Sequence, residues 1–515
     1  EIVNSDWSSD VCSSDLIESN RLGSDPPFKT ICKLTIGPLL AQVTQTFYGL
    51  MDSFWISKSI GEKGLTTMSI VTVVDFINIA FGQYFNAAMS TRISFLFGAK
   101  LRKECAQVCV DLLRCNIIMG ILIPAILLPC AKKLMRWYGA DDEIADMCFD
   151  YLLPSLCCSM INYTYLSICG FLQAMSYSIV YGICQLSSGL LNMLCFDPAF
   201  LMGFKTGMWG ASLATAISNF IPMLVLYILL FRGKFSIKLD FKLYLNKFNH
   251  HTFSALRVSL SQLISNLASS LPVLFLAKFV AQAAKNANDY TQIMAGWNVM
   301  ERVYAFAISV CNALNQGFLP AASYCYGSGR LHRFLRLGLI AFGFGMLWLA
   351  IVCILIESLA PQIASIWGKD KSFLKTTSKM LRLGFATVIL NPLTFITTAT
   401  LQALKKVLIS VIVSCLTLLI PIPVFSLILY YTNKNDPVRL FFAYIGHDLW
   451  AFCIIMIVMI WKIRFLFKEK PSDQGEISLK KDTNDDSKET SSKEQNNNIS
   501  SVNSDNDEHE EINTI

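Results

Sequence analysis

The sequence has few charged residues for its length. Only 16% of its 515 residues are Asp, Glu, Lys or Arg, whereas soluble domains carry about 25%. So few charges cannot cover a water-facing surface, and this excludes an ordinary soluble protein. Hydrophobic residues make up 53% of the chain and its mean hydropathy is +0.47, which together indicate a membrane protein. The net charge of +6 is small, and the basic residues lie in short runs between apolar segments, so no nucleic-acid partner is expected.

Motifs for catalysis and nucleotide binding are also missing. The sequence has no GxxxxGK[ST] loop, so ATP is not expected to drive this chain directly. No catalytic Ser/His/Asp set stands out, and none of the 17 cysteines forms a CxxC pair or a zinc-like Cys/His cluster. We therefore expect a protein that is not an enzyme and needs no cofactor or metal.

Long apolar segments recur along most of the chain, and a bilayer core requires about 20 such residues per helix. Apolar/polar alternation with period two is missing, which argues against a membrane β-barrel. The expected fold is therefore an all-α polytopic membrane protein with about twelve transmembrane helices. The segments lie at 31–56, 66–97, 106–130, 148–172, 179–203, 208–231, 254–281, 291–319, 336–360, 378–403, 407–431 and 439–466.

Three matches at one constant offset indicate an internal duplication. Gly98 and Gly327 each close a segment with a similar exit sequence. The same separation relates Gly139 to Gly368, which follow Trp137 and Trp367. It also relates the sequence LQA at 172–174 to LQA at 401–403. Each half has an even number of spans and starts from the same side. This predicts two six-helix bundles arranged as a parallel repeat.

These patterns divide the chain into five parts. Residues 1–16 read as a probable non-native, adapter-like segment and are set aside, so the native N-terminus stays open. We expect an N-terminal lobe at 17–231, a cytoplasmic linker at 232–253, a C-terminal lobe at 254–467 and a disordered cytoplasmic tail at 468–515. The Lys and Arg bias of the short loops predicts a multi-pass protein with both termini in the cytoplasm. The sequence does not indicate which membrane houses it.

Three aspartates fall inside predicted spans of the first half. A charge at a helix centre costs about 2.5–3.5 kcal/mol on insertion scales, so a retained one suggests a function. From the regular rise of a helix and the predicted direction of each span, Asp52, Asp75 and Asp197 all fall in the outer half of the same lobe. Carboxyl groups removed from water and close to one another favour taking up a positive ion. The alternative interpretation is that these three aspartates lie at the membrane interface, with their carboxylates among the lipid headgroups.

Motifs around these residues resemble the multidrug and toxic compound extrusion (MATE) family. The resemblance covers about residues 30–466 and implies that Asp52, Asp197 and Thr215 bind a coupling cation, either H⁺ or Na⁺. Asn192 departs from the family pattern, since it precedes Asp197 by five residues rather than four. Either a π-bulge restores the geometry or Asn192 does not join the site. The similar sequences are QTFYGLMDS at 45–53, NMLCFDP at 192–198, GMWGASLAT at 207–215 and QGFLP at 316–320.

Further polar residues are candidates for a substrate cavity. Gln45, Tyr48 and Asp75 share the first half with the predicted cation site. Glu301 and Asp448 lie in spans of the second half. They are expected either to bind a cationic substrate or to be structural, with Arg302 pairing locally with Glu301 or across helices with Asp448.

The main hypothesis is a secondary antiporter that exports small organic, often cationic, compounds or xenobiotics in exchange for H⁺ or Na⁺. Its partners would be the organic substrate and the lipid bilayer, and we expect a monomer. A flippase for a lipid-linked or amphiphilic precursor is the alternative, although such a protein should have a strongly cationic cavity. The duplication and the buried carboxylates argue against a third class, a channel or receptor.

Overall fold

The structure of the protein is a computed structural model that describes residues 25–138, 142–235, 237, 239–287, 289–366 and 370–466. The predictions for residues 1–16 and for the tail after residue 467 lie outside the described residues, as does the matched pair Gly139 and Gly368. Residues Glu1–Trp461 form one compact unit, which contains the site described below. The other unit is Lys462–Ile515, of which residues 462–466 are described.

The described residues form helices and no strand. Three π-helical turns are also present, at Asn192–Phe196, Pro198–Gly203 and Cys415–Leu419. The helices are α1 (Pro27–Ile60), α2 (Glu62–Gly98), α3 (Arg102–Tyr138), α4 (Asp142–Cys157), α5 (Ser159–Ala174), α6 (Ser178–Leu191), α7 (Gly207–Phe231), α8 (His250–Asn286), α9 (Tyr290–Gly327), α10 (Leu331–Ser365), α11 (Lys371–Phe385), α12 (Asn391–Ala403), α13 (Val407–Ser414), α14 (Pro421–Thr432) and α15 (Phe442–Leu466).

The helices account for the predicted membrane spans. In the described part of the chain, eight helical stretches are long and apolar enough to cross a bilayer, and the pair α4 and α5, bent by 51°, makes a ninth. The other three predicted spans are α1, α2 and α9, of 34, 37 and 38 residues. These helices exceed the required length. The expectation of an all-α membrane protein with about twelve spans is confirmed.

The crossing of α2 and α9 shows how the two halves are related. The ring of Phe97 lies 6.1 Å from that of Tyr324, and the ring of Phe95 lies 6.0 Å from that of Tyr326. The repeat offset that relates Gly98 to Gly327 also relates Phe95 to Tyr324 and Phe97 to Tyr326. The contact is therefore reciprocal, as a two-fold relation between parallel repeats requires.

The glycines of this crossing obey the same relation. A Cβ atom on Gly98 would collide with the carbonyl oxygen of Tyr324, and a Cβ atom on Gly327 would collide with that of Phe95. Glycine is thus required at both positions because the two backbones approach too closely for a side chain. The two halves meet tightly at this end of the bundle.

Each half buries its own apolar cluster. The first includes Ile56, Leu152 and Leu201 and lies among the helices of the first half. The second consists mainly of residues of α8 to α11 and of residues 440–444, with Met300 and Phe441 among its members. Since burying these faces stabilises each half separately, the polar surfaces of α1, α2 and α9 are left to line the space described next.

Candidate functional site

A cavity opens inside the first half. It holds about 1170 Å³ of empty space and is lined by α1, α2, α4, α5, α6 and α7. Asp75 is the one charged residue in its wall, and the remaining polar lining consists of hydroxyl and amide groups. They are Gln42, Thr44, Gln45, Tyr48, Asn78, Gln83, Tyr151, Ser155, Asn162, Tyr165, Tyr181, Gln185, Ser188, Asn192, Ser212, Thr215, Ser218 and Asn219.

A second cavity of about 830 Å³ lies between the two halves. It shares Gln42, Gln45, Ile79 and Gln83 with the first, so the two spaces adjoin along α1 and α2. Its lining contains no charged residue and is rich in amides from α1, α2, α5, α8 and α9. The amide side chains are Gln42, Gln45, Gln83, Asn86, Gln173, Gln262, Asn266, Asn312, Asn315 and Gln316.

Three of the predicted site residues form a hydrogen-bonded group in the wall of the first cavity. The hydroxyls of Tyr48 on α1 and Thr215 on α7 are 2.8 Å apart. Asn192 donates from Nδ2 to Thr215 Oγ1 at 3.4 Å. Thr215 therefore joins α1, the π-helical turn after α6 and α7 at one point.

Asp52 and Asp197 lie buried beside this group. Asp52 is 4% exposed and Asp197 is fully buried, and neither belongs to the lining of the two cavities. Asp197 lies within electrostatic range of Asp52, which in turn lies within range of Asp75. The structure thus brings the three aspartates of the first half into one interacting set.

Four buried oxygens of this set lack a donor. Asp52 Oδ1, both carboxylate oxygens of Asp197 and Asn192 Oδ1 have no hydrogen-bond partner among the described residues. An unsatisfied acceptor in an apolar environment is costly, and an unpaired carboxylate far more so. Oxygens of this kind can accept a proton or a small cation between α1 and the turn after α6.

The backbone explains how Asn192 reaches this position. The N–H of Asp197 donates to the carbonyl of Asn192, a bond across five residues that defines a π turn. On a regular α-helix a five-residue spacing would place the two side chains about 140° apart around the axis. The wider π turn places them on the same side instead. Pro198, which lacks an N–H, follows at once and marks the second π segment.

Asp75 is held by a separate branch of hydrogen bonds. Ser155 on α4 donates to Asp75 Oδ1 at 2.9 Å. Asn78, one turn along α2, donates to Ser155 at 3.4 Å and accepts from Tyr163 at 2.7 Å. These partners fix the Asp75 carboxylate in the wall of the first cavity, whereas Asp52 and Asp197 lie outside its lining.

The acidic residues of the second half lie elsewhere. Glu301 accepts from Tyr444, and Asp448 accepts from Thr387 at 2.8 Å and contacts His447 at 2.9 Å. In the described part of the chain neither carboxylate pairs with exposed Arg302, so both expected pairings are wrong. Neither residue lines the two cavities, since they belong to a separate polar cluster of the second half.

Sequence reasoning named Gln45 but missed the other amides that make up most of the wall of the second cavity. They recur three residues apart, as Gln42 and Gln45, Gln83 and Asn86, and Asn312 and Asn315. Residues with this spacing share one helix face. An amide face on an otherwise apolar helix is the signal that could have identified these residues.

Comparison with known proteins gives the family. The MatE family profile matches residues 39–195 and 290–426, one segment in each half. The multidrug export protein MepA of Staphylococcus aureus (strain NCTC 8325 / PS 47) is 22% identical over 382 residues, which are 73% of this chain and 82% of MepA. MepA of Staphylococcus haemolyticus (strain JCSC1435) is 20% identical over 377 residues, 73% of this chain and 81% of its own.

Solved structures share the fold. A multidrug resistance MATE family transporter of the MOP superfamily in an outward-facing conformation superposes with a TM-score of 0.80 at 20% identity, covering 88% of this chain and 99% of its own. A MOP superfamily transporter from Pyrococcus furiosus Vc1 (DSM3638) gives 0.78 at 21% identity, covering 87% and 97%. The family consists of transporters rather than enzymes, in agreement with the sequence. The chain belongs to the MATE family of multidrug efflux transporters.

Proposed function

We propose that this transporter is a secondary antiporter that exports small organic compounds, often cationic ones, in exchange for H⁺ or Na⁺. The observation that carries the proposal is the set of four buried oxygens without donors on Asp52, Asp197 and Asn192. A cation that enters there satisfies them, whereas an empty site leaves them unpaired at a high cost in free energy. Its occupancy can therefore select one conformation of the helices around it.

Hydrogen bonds connect the proposed cation site at Asp52 and Asp197 to the cavity wall, and they can couple cation binding to substrate binding. Tyr48 and Thr215 contribute to the cavity wall and contact each other, and Thr215 also accepts from Asn192 beside the enclosed carboxylates. A cation that draws Asp52 and Asp197 together shifts α1 against the π turn and so changes the wall. Substrate and cation then drive exchange because they differ in affinity for the same conformations.

The donor set fits either coupling ion. A proton would bind on one of two neighbouring carboxylates, a pair that resists ionising together. Na⁺ would be held by Asp52 and Asp197 with the amide oxygen of Asn192 and the hydroxyl of Thr215, since hard cations take oxygen ligands. No group of three or more His, Cys, Asp or Glu residues in the described ranges could hold a metal ion. The proposed Na⁺ ligands differ from such a group because they include amide and hydroxyl oxygens as well as carboxylates.

The cavity walls support an organic substrate, and a cationic one in particular. The two spaces are lined by neutral amides, hydroxyls and aromatic rings, and Asp75 supplies a single negative charge. Phosphate groups of a lipid-linked precursor would require cationic partners, and neither lining contains Lys or Arg. The cavity thus favours export of organic compounds over the alternative of a flippase.

The arrangement in the cell follows the loop charges. Both termini are proposed to be cytoplasmic, with lobes at 17–231 and 254–467 joined by a cytoplasmic linker at 232–253 and followed by a cytoplasmic tail. The site is complete within one chain, since α1, the π turn and α7 supply all its residues. A monomer is therefore sufficient for transport.

Efflux of ethidium from vesicles that contain the full chain tests the proposal. A pH gradient and a Na⁺ gradient are imposed separately, and ethidium fluorescence is followed after each. Acceleration by one gradient supports antiport and identifies the coupling ion. Equal rates with and without both gradients would contradict it, and movement of a labelled phospholipid in place of ethidium would support the flippase.

Asp75→Asn is expected to reduce transport of cations selectively. The substitution removes the one charge of the cavity wall while keeping the acceptor for Ser155. We expect the affinity for ethidium to fall roughly tenfold, which corresponds to about 1.4 kcal/mol, with little change for an uncharged substrate. Competition by charged and uncharged compounds in the vesicle assay measures the difference. An equal loss for both would assign Asp75 to coupling instead.

Asn192→Ala is expected to weaken cation binding without abolishing exchange. The amide oxygen is one of the four unpaired acceptors, but the two carboxylates remain. The cation concentration for half-maximal efflux should rise roughly tenfold, with a smaller change in the maximal rate. Cys195→Ala, in the same π turn but exposed, is the control. Identical behaviour of the two variants would remove Asn192 from the site.

A further inference from the structure

Three basic side chains meet near the end of the bundle where α2 ends and α8 begins. Arg92 on α2 is only 5% exposed and contacts His251 in the first turn of α8. Lys405, in the turn between α12 and α13, places its ammonium group 3.2 Å from the ring centre of Phe95. The Arg92 guanidinium lies 5.1 Å from the same ring. Both cationic groups thus lie close to one phenyl ring.

Within the described ranges, no acidic residue compensates the charges of Arg92 and Lys405. None of the three forms an ion pair in the described part of the chain. The two carboxylates near the start of α8 are occupied, since Glu104 accepts from Asn249, and Asp111 accepts from Asn249 and Thr252. Arg92 Nε and Nη1 are buried and have no acceptor among the described residues. Buried donors of this kind indicate a missing anionic partner, because an unpaired buried charge is strongly unfavourable.

A small cavity adjoins the cluster. It holds about 240 Å³ of empty space and is lined by Arg92, Lys405, the hydroxyl residues Thr91 and Ser323, and Gln402. The donors in its wall suit a small oxyanion.

The duplication shows that these charges are not a requirement of the fold. By the repeat offset, the equivalent of Arg92 in the second half is Ala321, and the equivalent of Lys405 in the first half is Ser176. Ser176 and Lys405 share the same unusual backbone, with φ of 63° and 57°. The equivalent place in the other half therefore folds in the same way without the cations. A separate role explains why they are present on one side only.

We propose that a tetrahedral oxyanion of the phosphate type binds between Arg92 and Lys405 and holds the two halves together at this end. Arg92 belongs to the first half, while Lys405, Ser323 and Gln402 belong to the second. An anion can touch both cations only when α2 and α9 are in close contact. Its binding therefore stabilises the conformation that is closed here. The source is either the headgroup of an anionic phospholipid or a free anion.

The charge of Lys405 makes binding dependent on pH. Burial and the charge of Arg92 lower the pKa of Lys405 to about 7. His251 and the ring of Tyr326 also face it, and neither supplies a negative charge near neutral pH. Lys405 is cationic below its pKa and neutral above it, so the anion should bind more tightly at lower pH.

Thermal unfolding of the full-length protein tests the site. Sulfate at constant ionic strength is the probe, because its charge does not change near neutral pH. In detergent, we expect sulfate to raise Tm of the unsubstituted protein on the order of 2 °C. The rise should be larger at about pH 6 than at about pH 8. Arg92→Gln and Lys405→Ser should lose it, and Lys406→Ser, which removes the neighbouring charge outside the cavity, should keep it.

Nanodiscs distinguish the two sources. A higher Tm in phosphatidylglycerol than in phosphatidylcholine, lost in Lys405→Ser, assigns the site to a lipid headgroup. A response only to sulfate assigns it to a free anion. If Arg92→Gln fails to fold, the sulfate response of Lys405→Ser tests the site alone. This variant should fold because Lys405 lies in a turn and serine is the residue at the equivalent position 176 of the first half. A full sulfate response in Lys405→Ser, or no response of the unsubstituted protein to sulfate or anionic lipid, overturns the proposal.

Discussion

Asp52→Asn and Asp197→Asn are each expected to abolish gradient-driven efflux of ethidium. Each change keeps the size of the side chain but removes a charge that the buried cation requires. The rate under the coupling gradient should fall more than tenfold, which corresponds to a rise of at least about 1.4 kcal/mol in barrier height. It should approach the passive leak of empty vesicles, and vesicles with equal amounts of each variant measure it.

Asp150→Asn is the matched control, because Asp150 is an exposed carboxylate of α4 in the same half. Its efflux should equal that of the unsubstituted protein. The fold must be intact in all variants, which a common Tm and elution volume would show. Unchanged gradient-driven efflux in Asp52→Asn would remove Asp52 from the mechanism, and the same holds for Asp197.

Gly98→Ala and Gly327→Ala are expected to prevent the two halves from closing where α2 crosses α9. The added Cβ atoms would collide with the backbone carbonyls of Tyr324 and Phe95, which cannot rotate away as a side chain could. Overpacking of this kind costs about 1–3 kcal/mol. The closed conformation should lose most of its population. Transport in both directions should fall because one of the alternating states becomes inaccessible.

Gly343→Ala on α10 is the control, since a Cβ atom there meets nothing within 4 Å. Accessibility of this end to a membrane-impermeant amine reagent, read at Lys405 by mass spectrometry, should rise in the two crossing variants and not in the control. Equal labelling in all proteins would show that the crossing is not a closure point.

The sequence predicted the architecture because its determinants are local or repeated. Apolar length identifies spans wherever a helix must cross lipid, and one constant offset between matching motifs exposed the duplication. By the same offset Phe95 is equivalent to Tyr324, and Phe97 is equivalent to Tyr326. At the crossing Phe95 contacts Tyr326 and Phe97 contacts Tyr324. Polar residues of α1, α2 and α9 interrupt apolar spans, and only the structure shows that they line the two cavities.

The site was harder to predict, since it depends on geometry that residue spacing does not determine. Asn192 and Asp197 could be placed together only if the helix adopted a π turn, and the sequence left both outcomes open. The backbone hydrogen bond from Asp197 to Asn192 decides between them. Asp75 was grouped with the other aspartates and also named for the cavity, but only the structure shows that Ser155 from another helix holds it in the cavity wall.

Contacts between distant segments were beyond the sequence altogether. Arg302 was the natural partner for Glu301 and Asp448, but Tyr444 and Thr387 take that role because the helix rotations direct the carboxylates to them. Arg92, His251 and Lys405 lie far apart in the chain, and only the packing of α2 against α8 and the α12–α13 turn brings them together.

Binding of ethidium to the purified protein, followed by fluorescence anisotropy while H⁺ and Na⁺ are varied separately, tests the central claim most directly. We expect one of the two cations to weaken ethidium binding in the unsubstituted protein, and the effect to vanish in the double variant Asp52→Asn/Asp197→Asn. Ethidium affinity that neither cation changes, or a cation effect that persists in the double variant, would contradict the account.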